Sequence, residues 1–331
     1  MRKVKVELLG GLGNQLYGMA LGLALVSKSK SIKVQITDSL IPFGSNSSRK
    51  LQVNELGLLG NKETTFTESN KFFILLLKRS KFFRKFWWKS SRLVNRKAIV
   101  TNENLWSQQL VQGKRVIFSD YFNDWFFAET AHQAGLLRQN HVKKTGETSA
   151  LISAEAKLVE ENLALVHLRM GDYLDFPDIF KLLPEKYYFS AIEKLSHQSN
   201  LRYGIVCESA LEADKFYPSL TKDSDFILDK SSGLSDVETF RLLCRAEKLI
   251  AANSTFSIWA AWFVQSYGKS AVVPVANSRL AEAEGYIYLN WNIFDVERDT
   301  FLQPKPELKD DWMTSKTIEF DKFLRSLESG N

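Results

Sequence analysis

The sequence predicts an α/β protein of two domains, of which the second is built on a parallel β-sheet. The chain has 331 residues, enough for about two domains of the usual 100–200 residues. From residue 151 onward, short apolar segments alternate with segments of helical periodicity, which is typical of parallel strands joined by helical crossovers. We therefore expect an N-terminal domain over 1–150 and a Rossmann-like domain over 151–331.

The first predicted strand, "KVKVEL", is followed by the glycine-rich stretch "GGLGNQL" and a long apolar helical segment. A dinucleotide fingerprint would need a third glycine where Leu16 stands, so that signal is weak. A phosphate-binding P-loop has its glycine spacing in Gly13 and Gly18, but Met19 and Ala20 replace the lysine and hydroxyl that should follow. What remains is a strand, a tight turn and a helix, whose glycines either only form the turn or let the backbone approach a ligand.

Composition predicts a globular protein of a reducing compartment. Hydrophobic residues make up 44% of the chain, which is ample for buried cores. Two cysteines, Cys207 and Cys244, cannot form a disulfide framework or a cysteine zinc site. No apolar run reaches the roughly 20 residues that span a bilayer, and Glu7 interrupts the N-terminal stretch that otherwise resembles a signal peptide. We expect a cytoplasmic location.

The formal net charge of +6 is concentrated in one segment, residues 71–97. This basic aromatic segment contains ten Lys or Arg, no Asp or Glu, and seven aromatic residues in a roughly helical rhythm. Such a segment can lie on an anionic membrane surface, grip single-stranded nucleic acid, or form a helix with a solvated basic face. No nucleic-acid motif accompanies it. We expect no nucleic-acid partner. Two interpretations of the segment remain: peripheral contact with the inner membrane surface, and a helix with a solvated basic face.

The segments of the second half follow the alternation in order. The predicted strands are "LALVHL", "LRYGIVCES", "DFILDK", "EKLIAAN" and "SAVVPV", and the predicted helices between them are "PEKYYFSAIEKLSHQ", "LEADKFY", "SDVETFRLLCRA" and "STFSIWAAWFVQSY". Ser235 and Glu238 have the spacing of a capping box, which predicts where the third helix begins. Ligands of such sheets bind at the carboxyl ends of the strands, so we look for a site there.

Two of these strand ends carry polar side chains. In "VHLRMGDYL" the strand is followed by His167, Arg169 and Asp172, and an arginine fork suits a diphosphate. The second strand end supplies an amide and two hydroxyls at a helix start, where N–H groups and the dipole favour an anion: Asn253, Ser254 and Thr255. The structural alternatives are an ion pair between Arg169 and Asp172 and a hydroxyl that only caps the helix. Their joint occurrence favours a nucleotide-sugar site.

The motifs "GGLGNQL", "VHLRMGDY" and "NSTFSIWAAWF", in this order and at these separations, resemble the inverting α-1,2-fucosyltransferases that use GDP-fucose. They resemble the α-1,6- and protein O-fucosyltransferases more distantly. The resemblance covers residues 10–275, and "FSDYFNDWFFAE" is similar to a fourth shared segment. It implies a GT-B fold of two facing Rossmann-like domains. It also implies galactoside α-1,2-fucosyltransferase activity on a surface glycan or lipid-linked oligosaccharide, with GDP-fucose as donor and no metal or other cofactor.

The resemblance implies a role for each motif residue. Arg169 would hold the β-phosphate of the donor, and the Asn-Ser-Thr segment would contact the phosphates through hydroxyls and backbone. In a one-step inversion, charge growing on the leaving diphosphate would be stabilised by these groups. Asp172, with His167 second, would accept the proton of the acceptor hydroxyl or orient the site. The first domain would reach over the fucose and diphosphate with four residues: Gly11, Gly13, Asn14 and Gln15.

The sequence also departs from that family at three places. Relatives often have a second arginine where Met170 stands and a tryptophan where Ile258 stands. An acidic Ser-Asp-Asp type guanosine segment is replaced by Cys207, Glu208 and Ser209. The guanine contact is assigned to Glu208 on this basis.

Three other functions fit parts of the sequence. A metal-dependent glycosyltransferase would use a D-x-D pair such as Asp223 and Asp225, although this pair precedes a predicted strand and fits a solvated turn. An NAD-dependent enzyme would use Asp38, which ends the strand "KVQIT" at a tempting distance from Gly13. A GDP-sugar-binding protein without turnover would share all of these motifs.

Overall fold

The structure is a computed structural model that describes residues 2–37, 52–56, 64–67, 97–106, 115–137, 148–161, 163–196, 201–275 and 285–329. The chain divides into two compact units, one formed by Met1–His141 with Leu308–Asn331 and the other by Val142–Glu307. Each unit has its own, mainly parallel sheet, which confirms the predicted α/β class with two Rossmann-like units. Asp38 and residues 71–96 of the basic aromatic segment lie outside the described residues, so their interpretations stay predictions.

The first unit contains a five-stranded parallel sheet. Its strands are β1 (Arg2–Glu7), β2 (Ile32–Thr37), β3 (Thr64–Thr67), β4 (Lys97–Val100) and β5 (Arg115–Phe118). Their spatial order is β3-β2-β1-β5-β4, and the register aligns Val4 of β1 with Val34 and with Val116. The strand order therefore reverses between β1 and β5, which is where open α/β sheets bind their ligands.

The helices of the first unit that precede the second unit in sequence are α1 (Leu12–Lys28), α2 (Asn102–Trp106) and α3 (Trp125–Gln133). Helix α1 is buried over almost its whole length, as its continuous apolar sequence predicts. It packs against α3, where the rings of Tyr17 and Trp125 lie 5.2 Å apart. Asp124 caps α3 by accepting a hydrogen bond of 2.9 Å from the backbone N–H of Phe126.

The second unit contains a seven-stranded sheet. Its strands are β6 (Ala164–His167), β7 (Tyr203–Val206), β8 (Phe226–Leu228), β9 (Lys248–Ile250), β10 (Ser270–Val275), β11 (Asn292–Asp295) and β12 (Thr300–Leu302). The order is β12-β11-β10-β9-β6-β7-β8, with only the edge strand β12 antiparallel to its neighbour. All five predicted strands are confirmed, and the strand order reverses between β6 and β9.

The helices of the second unit are α4 (Ser149–Glu161), α5 (Gly171–Asp175), α6 (Glu185–Ser196), α7 (Ala210–Phe216), α8 (Pro218–Lys222), α9 (Asp236–Arg245) and α10 (Thr255–Ser266). The predicted capping box of α9 is present, because Ser235 Oγ accepts from the backbone N–H of Glu238 and Glu238 accepts from that of Ser235. A buried cluster lies between the sheet and α6, where the Tyr187 hydroxyl donates to the carbonyl of Ala251 at 2.7 Å.

The C-terminal helix α11 (Lys309–Ser329) packs in the first unit. Its buried residues form a helical stripe: Met313, Phe320, Phe323, Leu324 and Leu327. The Phe320 ring lies 5.6 Å from Phe126, and Phe323 lies 6.0 Å from Phe118. Burial of one phenylalanine stabilises by roughly 1.5–3 kcal/mol. This stripe is why residues 308–331 group with the first unit, whereas the predicted division placed all of 151–331 in one C-terminal domain.

Within the part of the chain that the structure describes, no helix combines the length and the apolar character that a membrane span requires. Cys207 and Cys244, both in the described part of the chain, are buried and form no disulfide with each other.

Candidate functional site

The candidate site lies where the strand order of the second sheet reverses. Strands β6 and β9 are adjacent and parallel, with Val166 aligned to Ile250. Their carboxyl ends are therefore side by side, and the loops 168–170 and 251–254 leave the sheet at the same edge. The two strand-end motifs of the sequence are thus brought together, as the expected position of a ligand in such a sheet requires.

Arg169 is the central charge of this edge. Its two terminal guanidinium nitrogens donate to different carboxylates, Nη1 to Glu208 and Nη2 to Asp172. The predicted pair of Arg169 with Asp172 is thus present, and Glu208 adds a second acid. Burial works against the arginine charge, but Glu208 and Asp172 outweigh it and raise the pKa of Arg169. The guanidinium is permanently charged, and its side chain keeps about a quarter of its surface exposed (27%).

His167 ends β6 and is buried. Its ring lies 5.6 Å from that of Phe256 at the start of α10, and its Nδ1 has no hydrogen-bond partner among the described residues. Burial, and then the charge of Arg169, lower the pKa of His167 to about 3. The imidazole is therefore neutral at pH 7. A general base works best with a pKa near the operating pH, so this environment disfavours the base role that was second choice for His167.

Tyr173 joins the two motifs, and the sequence analysis missed it. Its hydroxyl donates to the carbonyl of Asn253 at 2.8 Å, while its ring stacks on Phe180 with centroids 4.7 Å apart. The Arg169 guanidinium lies 5.7 Å from the same ring. Burial raises the pKa of Tyr173 to about 12, so the hydroxyl keeps its proton. The available signal was an aromatic residue with a polar tip directly after the motif, in "GDYL".

The three residues of the Asn-Ser-Thr segment at the start of α10 have different environments. Ser254 is the N-cap, and its Oγ accepts from the backbone N–H of Ser257 at 3.3 Å. The Asn253 amide donates to the carbonyl of Lys181 at 2.9 Å. Thr255, in the first helical turn, is partly exposed. The capping alternative is therefore confirmed for Ser254, and the first-turn N–H groups and Thr255 remain the groups suited to an anion.

Glu208 follows β7 and takes a role different from the predicted guanine contact. One carboxylate oxygen accepts from Arg169, and the other accepts from the backbone N–H of Met170 at 3.0 Å. Both oxygens are thus engaged within the unit. The adjacent Ser209 caps α7 through a hydrogen bond from Glu212 N of 3.3 Å. In the structure Glu208 belongs to the arginine cluster, where acid and base are paired.

The glycine turn of the first unit follows β1 at that sheet's own reversal point. Gly10, which the sequence analysis did not single out, has φ of +62°, a conformation that favours glycine. Gly11 is the N-cap of α1, while Gly13 is buried within it and Asn14 is partly exposed. Gly10 thus provides the left-handed backbone conformation that the turn requires. Gly11 and Asn14 lie at the start of α1.

Gln15 is buried and its amide is used by the first unit itself. The carbonyl oxygen accepts from the backbone N–H groups of Gln52 and Val53 at 2.9 and 3.2 Å, and the amide nitrogen donates to the carbonyl of Gly10 at 3.1 Å. The donor contact of Gln15 stays a prediction, and in this structure both ends of the amide hold the turn to a neighbouring segment. Asn14 is the carboxamide of the pair that keeps exposed surface.

The fourth shared segment, "FSDYFNDWFFAE", follows β5 and so begins beside the glycine turn at the reversal point of the first sheet. Asp120 accepts from the backbone N–H groups of Asn102 and Tyr121 at 2.9 and 2.7 Å. Phe122 has φ of +51° and is buried. The segment is thus held in a fixed turn that leads into α3.

The D-x-D alternative lies at the other end of its strand. Asp223 and Asp225 precede β8, and Asp225 pairs with Arg202 at 2.6 Å. This pair therefore lies at the amino end of β8, whereas ligands of parallel sheets bind at the carboxyl ends of the strands. Its position fits the solvated turn. Across the described residues, no group of three or more His, Cys, Asp or Glu has the arrangement of a metal site.

Comparison with known proteins gives one curated relative with a named activity. The chain is 25% identical over 282 residues to an α-1,2-colitosyltransferase of Escherichia coli, a match that covers 79% of this chain and 88% of that protein. No protein-family model matches the chain. The chain is thus similar to a glycosyltransferase over most of its length, and the similarity is to a colitosyltransferase where the motifs led us to expect a fucosyltransferase.

The solved structures that resemble it include glycosyltransferases and UDP-N-acetylglucosamine 2-epimerases. The fucosyltransferase NodZ from Bradyrhizobium matches with a TM-score of 0.42 at 14% identity, over 80% of this chain and 94% of that one. The ADP-heptose lipopolysaccharide heptosyltransferase II of E. coli matches with a TM-score of 0.37 at 12% identity, over 83% and 84%. TM-scores below 0.5 do not by themselves define a fold, so the fold stated above rests on the two sheets.

Proposed function

We propose that this protein is a glycosyltransferase that moves a deoxyhexosyl group from a GDP-sugar to a hydroxyl of a galactoside, with inversion and without a metal. L-Fucose is the first candidate sugar, and O2 of galactose in a surface glycan or lipid-linked oligosaccharide is the proposed acceptor. The observation that supports this most is the meeting of Arg169 and the start of α10 at the reversal point of the second sheet. Similarity to a transferase over most of the chain supports the reaction class.

The proposed chemistry follows from where positive charge is held. As the bond from the sugar C1 to the donor phosphate breaks, negative charge grows on the β-phosphate. Arg169 and the first-turn N–H groups of α10, with Thr255 beside them, are donors already oriented for that charge. Preorganised donors at a developing anion typically lower a barrier by about 3–4 kcal/mol each. The diphosphate would therefore leave toward N–H donors that are already in place, although Arg169 also pairs with Glu208 and Asp172.

Asp172 is proposed to orient Arg169 first of all. Its carboxylate accepts from Nη2, and an acid held in this way fixes the plane of the guanidinium. His167, buried and neutral, is proposed to hold the end of β6 in place and not to accept the acceptor's proton. Gly11, Gly13 and Asn14 of the first unit keep their proposed contact with the donor.

Colitose is the second candidate sugar, because the curated relative is named an α-1,2-colitosyltransferase. Colitose differs from L-fucose by the absence of the 3-hydroxyl, so the same diphosphate chemistry serves both sugars. The choice between them depends on whether the site contains a group that pairs with that hydroxyl. A site built to bind a hydroxyl rejects the deoxy analogue strongly, whereas an apolar pocket discriminates by only about 1–3 kcal/mol.

A donor screen with the purified protein tests the proposal. GDP-fucose, GDP-colitose, GDP-mannose and UDP-galactose are offered with a β-galactoside acceptor, with and without excess EDTA, and the anomeric configuration of the product is read by NMR. We expect transfer from a GDP-deoxysugar that persists in EDTA and gives the inverted, α-L product. Binding of GDP without transfer to any acceptor would favour the binding-protein alternative. Complete loss in EDTA that added Mn²⁺ restores would contradict the metal-free mechanism.

A further inference from the structure

Glu208 uses both carboxylate oxygens on one short loop. Oε1 accepts from Nη1 of Arg169, and Oε2 accepts from the backbone N–H of Met170 at 3.0 Å. The side chain is only 14% exposed, so these bonds compete little with water. Glu208 therefore binds both the guanidinium of Arg169 and the backbone N–H of Met170.

The loop also fits closely against this acid. Gly171 has φ of +21°, and a Cβ added there would lie 3.0 Å from Oε1 of Glu208. A side chain at this position would push against the carboxylate or displace the loop. The glycine of "VHLRMGDYL" thus leaves room for Glu208 to lie against residues 169–171.

Asp172 completes the arrangement on the other side of the guanidinium. With Nη1 bound to Glu208 and Nη2 bound to Asp172, rotation of the guanidinium plane would break at least one charge-assisted bond. The ring of Tyr173 lies 5.7 Å from the same group. A free arginine side chain samples many rotamers, and here that freedom is reduced before any ligand arrives. The remaining N–H donors of Arg169 thus have a defined direction.

From these contacts we infer that Glu208 is a positioning residue that sets the direction of the Arg169 guanidinium toward a diphosphate, and that it does not read the base of the nucleotide. The inference rests on the proposed function, because it needs a diphosphate at Arg169. It makes a distinct claim about specificity: loss of Glu208 weakens every nucleoside diphosphate alike, and it weakens inorganic pyrophosphate too.

The test is calorimetric binding of GDP, ADP, UDP and inorganic pyrophosphate to wild type, Glu208→Ala and Glu208→Gln. We expect Glu208→Ala to weaken all four ligands by a similar factor, on the order of 10-fold, because the ligand must then order the arginine side chain itself. The ratio of GDP to ADP affinity stays as in wild type. Glu208→Gln, which keeps an acceptor but loses the charge, weakens them less. Glu212→Ala, a nearby acid outside the cluster, is the matched control and leaves all four affinities unchanged.

An Arg169→Lys background separates positioning from direct contact. If Glu208 acts through the guanidinium fork, removing it from Arg169→Lys produces a much smaller further loss than removing it from wild type. A Glu208→Ala variant that changes the ratio of GDP to ADP affinity while binding pyrophosphate normally would overturn the inference and make Glu208 a base-reading residue. An equal loss in both backgrounds would overturn it too.

A separate measurement without ligand tests the pairing of Glu208 with Arg169 independently of the proposed function. Wild type that binds no diphosphate would refute the proposed function, and the pairing is then decided by denaturant unfolding of Arg169→Ala, Glu208→Ala and the double variant. We expect the double variant to lose less stability than the two single losses combined, because the second change removes a partner already gone. Strictly additive losses would show that Glu208 does not hold Arg169, and would overturn the inference without reference to any ligand.

Discussion

The hydroxyl of Tyr173 donates a hydrogen bond of 2.8 Å to the backbone carbonyl of Asn253, and so ties together the loops that follow β6 and β9. These loops carry Arg169 and the start of α10, the two sources of positive charge in the candidate site. A single side chain from one motif therefore fixes the separation of both groups that would meet a diphosphate.

Replacement of Arg169 by lysine should lower turnover by on the order of 10²–10³, or about 3–4 kcal/mol, because an ammonium cannot reproduce the planar fork. Steady-state kinetics with the active GDP-sugar measure this, after circular dichroism has shown the variant to be folded. Arg202→Lys is the matched control, since that arginine pairs with Asp225 at the opposite end of the sheet. Near-normal turnover in a folded Arg169→Lys variant would remove the proposed role.

Acid should destabilise the protein partly through His167. The pKa of this imidazole is about 3 in the folded protein and about 6.5 when it is exposed in the unfolded chain. Between these values the unfolded state binds the extra proton, so stability falls as pH drops below about 6.5 and continues to fall toward about 3. His167→Gln should show a shallower loss in urea unfolding measured across this range. The same slope in wild type and variant would contradict the prediction.

Gln15 should contribute to stability, whereas Asn14 should contribute to donor use. Gln15→Leu leaves the N–H groups of Gln52 and Val53 without their acceptor, and one buried unsatisfied group costs about 1–3 kcal/mol. Asn14→Ala at the partly exposed neighbour should change stability by less than about 0.5 kcal/mol and raise KM for the donor. Chemical denaturation and donor kinetics on both variants decide this. Reversed outcomes for the pair would restore the donor contact to Gln15.

Removal of the Lys316 ammonium should destabilise the first unit strongly. This group binds the buried carboxylate of Asp124 at 3.0 Å and lies 3.9 Å from the centroid of the Trp106 ring. Burial raises the pKa of Asp124, and Lys316 opposes that rise. Lys316→Met leaves an unpaired buried carboxylate, at a cost of about 3 kcal/mol in the free energy of unfolding.

The double change Lys316→Met with Asp124→Asn should recover much of that loss, because asparagine still caps α3 but carries no charge. Lys322→Met, an exposed lysine of the same helix, is the control and should change stability by less than about 0.5 kcal/mol. Urea unfolding measures all three variants. A double variant no more stable than Lys316→Met alone would show that the buried charge is not the cause.

The sequence was sufficient for the architecture of the second unit because its signals are local. Each strand is a short apolar run between polar turns, and the capping box of α9 is visible as Ser235 followed by Glu238. The position of the candidate site also followed, since His167, Arg169 and Asn253 stand at the carboxyl ends of predicted strands and parallel strands end at one edge. The periodicity of the sequence does not predict which partner each polar side chain binds at that edge of the sheet.

The residues assigned differently by the structure all depend on tertiary contacts. Glu208 is 39 residues from Arg169, and Gln15 is 37 residues from the backbone N–H that it accepts from. No spacing rule links positions so far apart. The placement of α11 fails for the same reason, since its apolar stripe shows that the helix is buried but not which unit buries it.

The return of α11 to the first unit has a consequence for biosynthesis. The second unit, Val142–Glu307, is continuous in sequence and leaves the ribosome whole, whereas the first unit is completed only when α11 has emerged. Until then, Phe118 and Phe126 lack the rings of Phe323 and Phe320 that pack on them in the finished protein. Transiently exposed apolar surface of this kind attracts chaperones and favours aggregation. The whole second unit is therefore synthesised before the helix that covers the aromatic surface of the first unit.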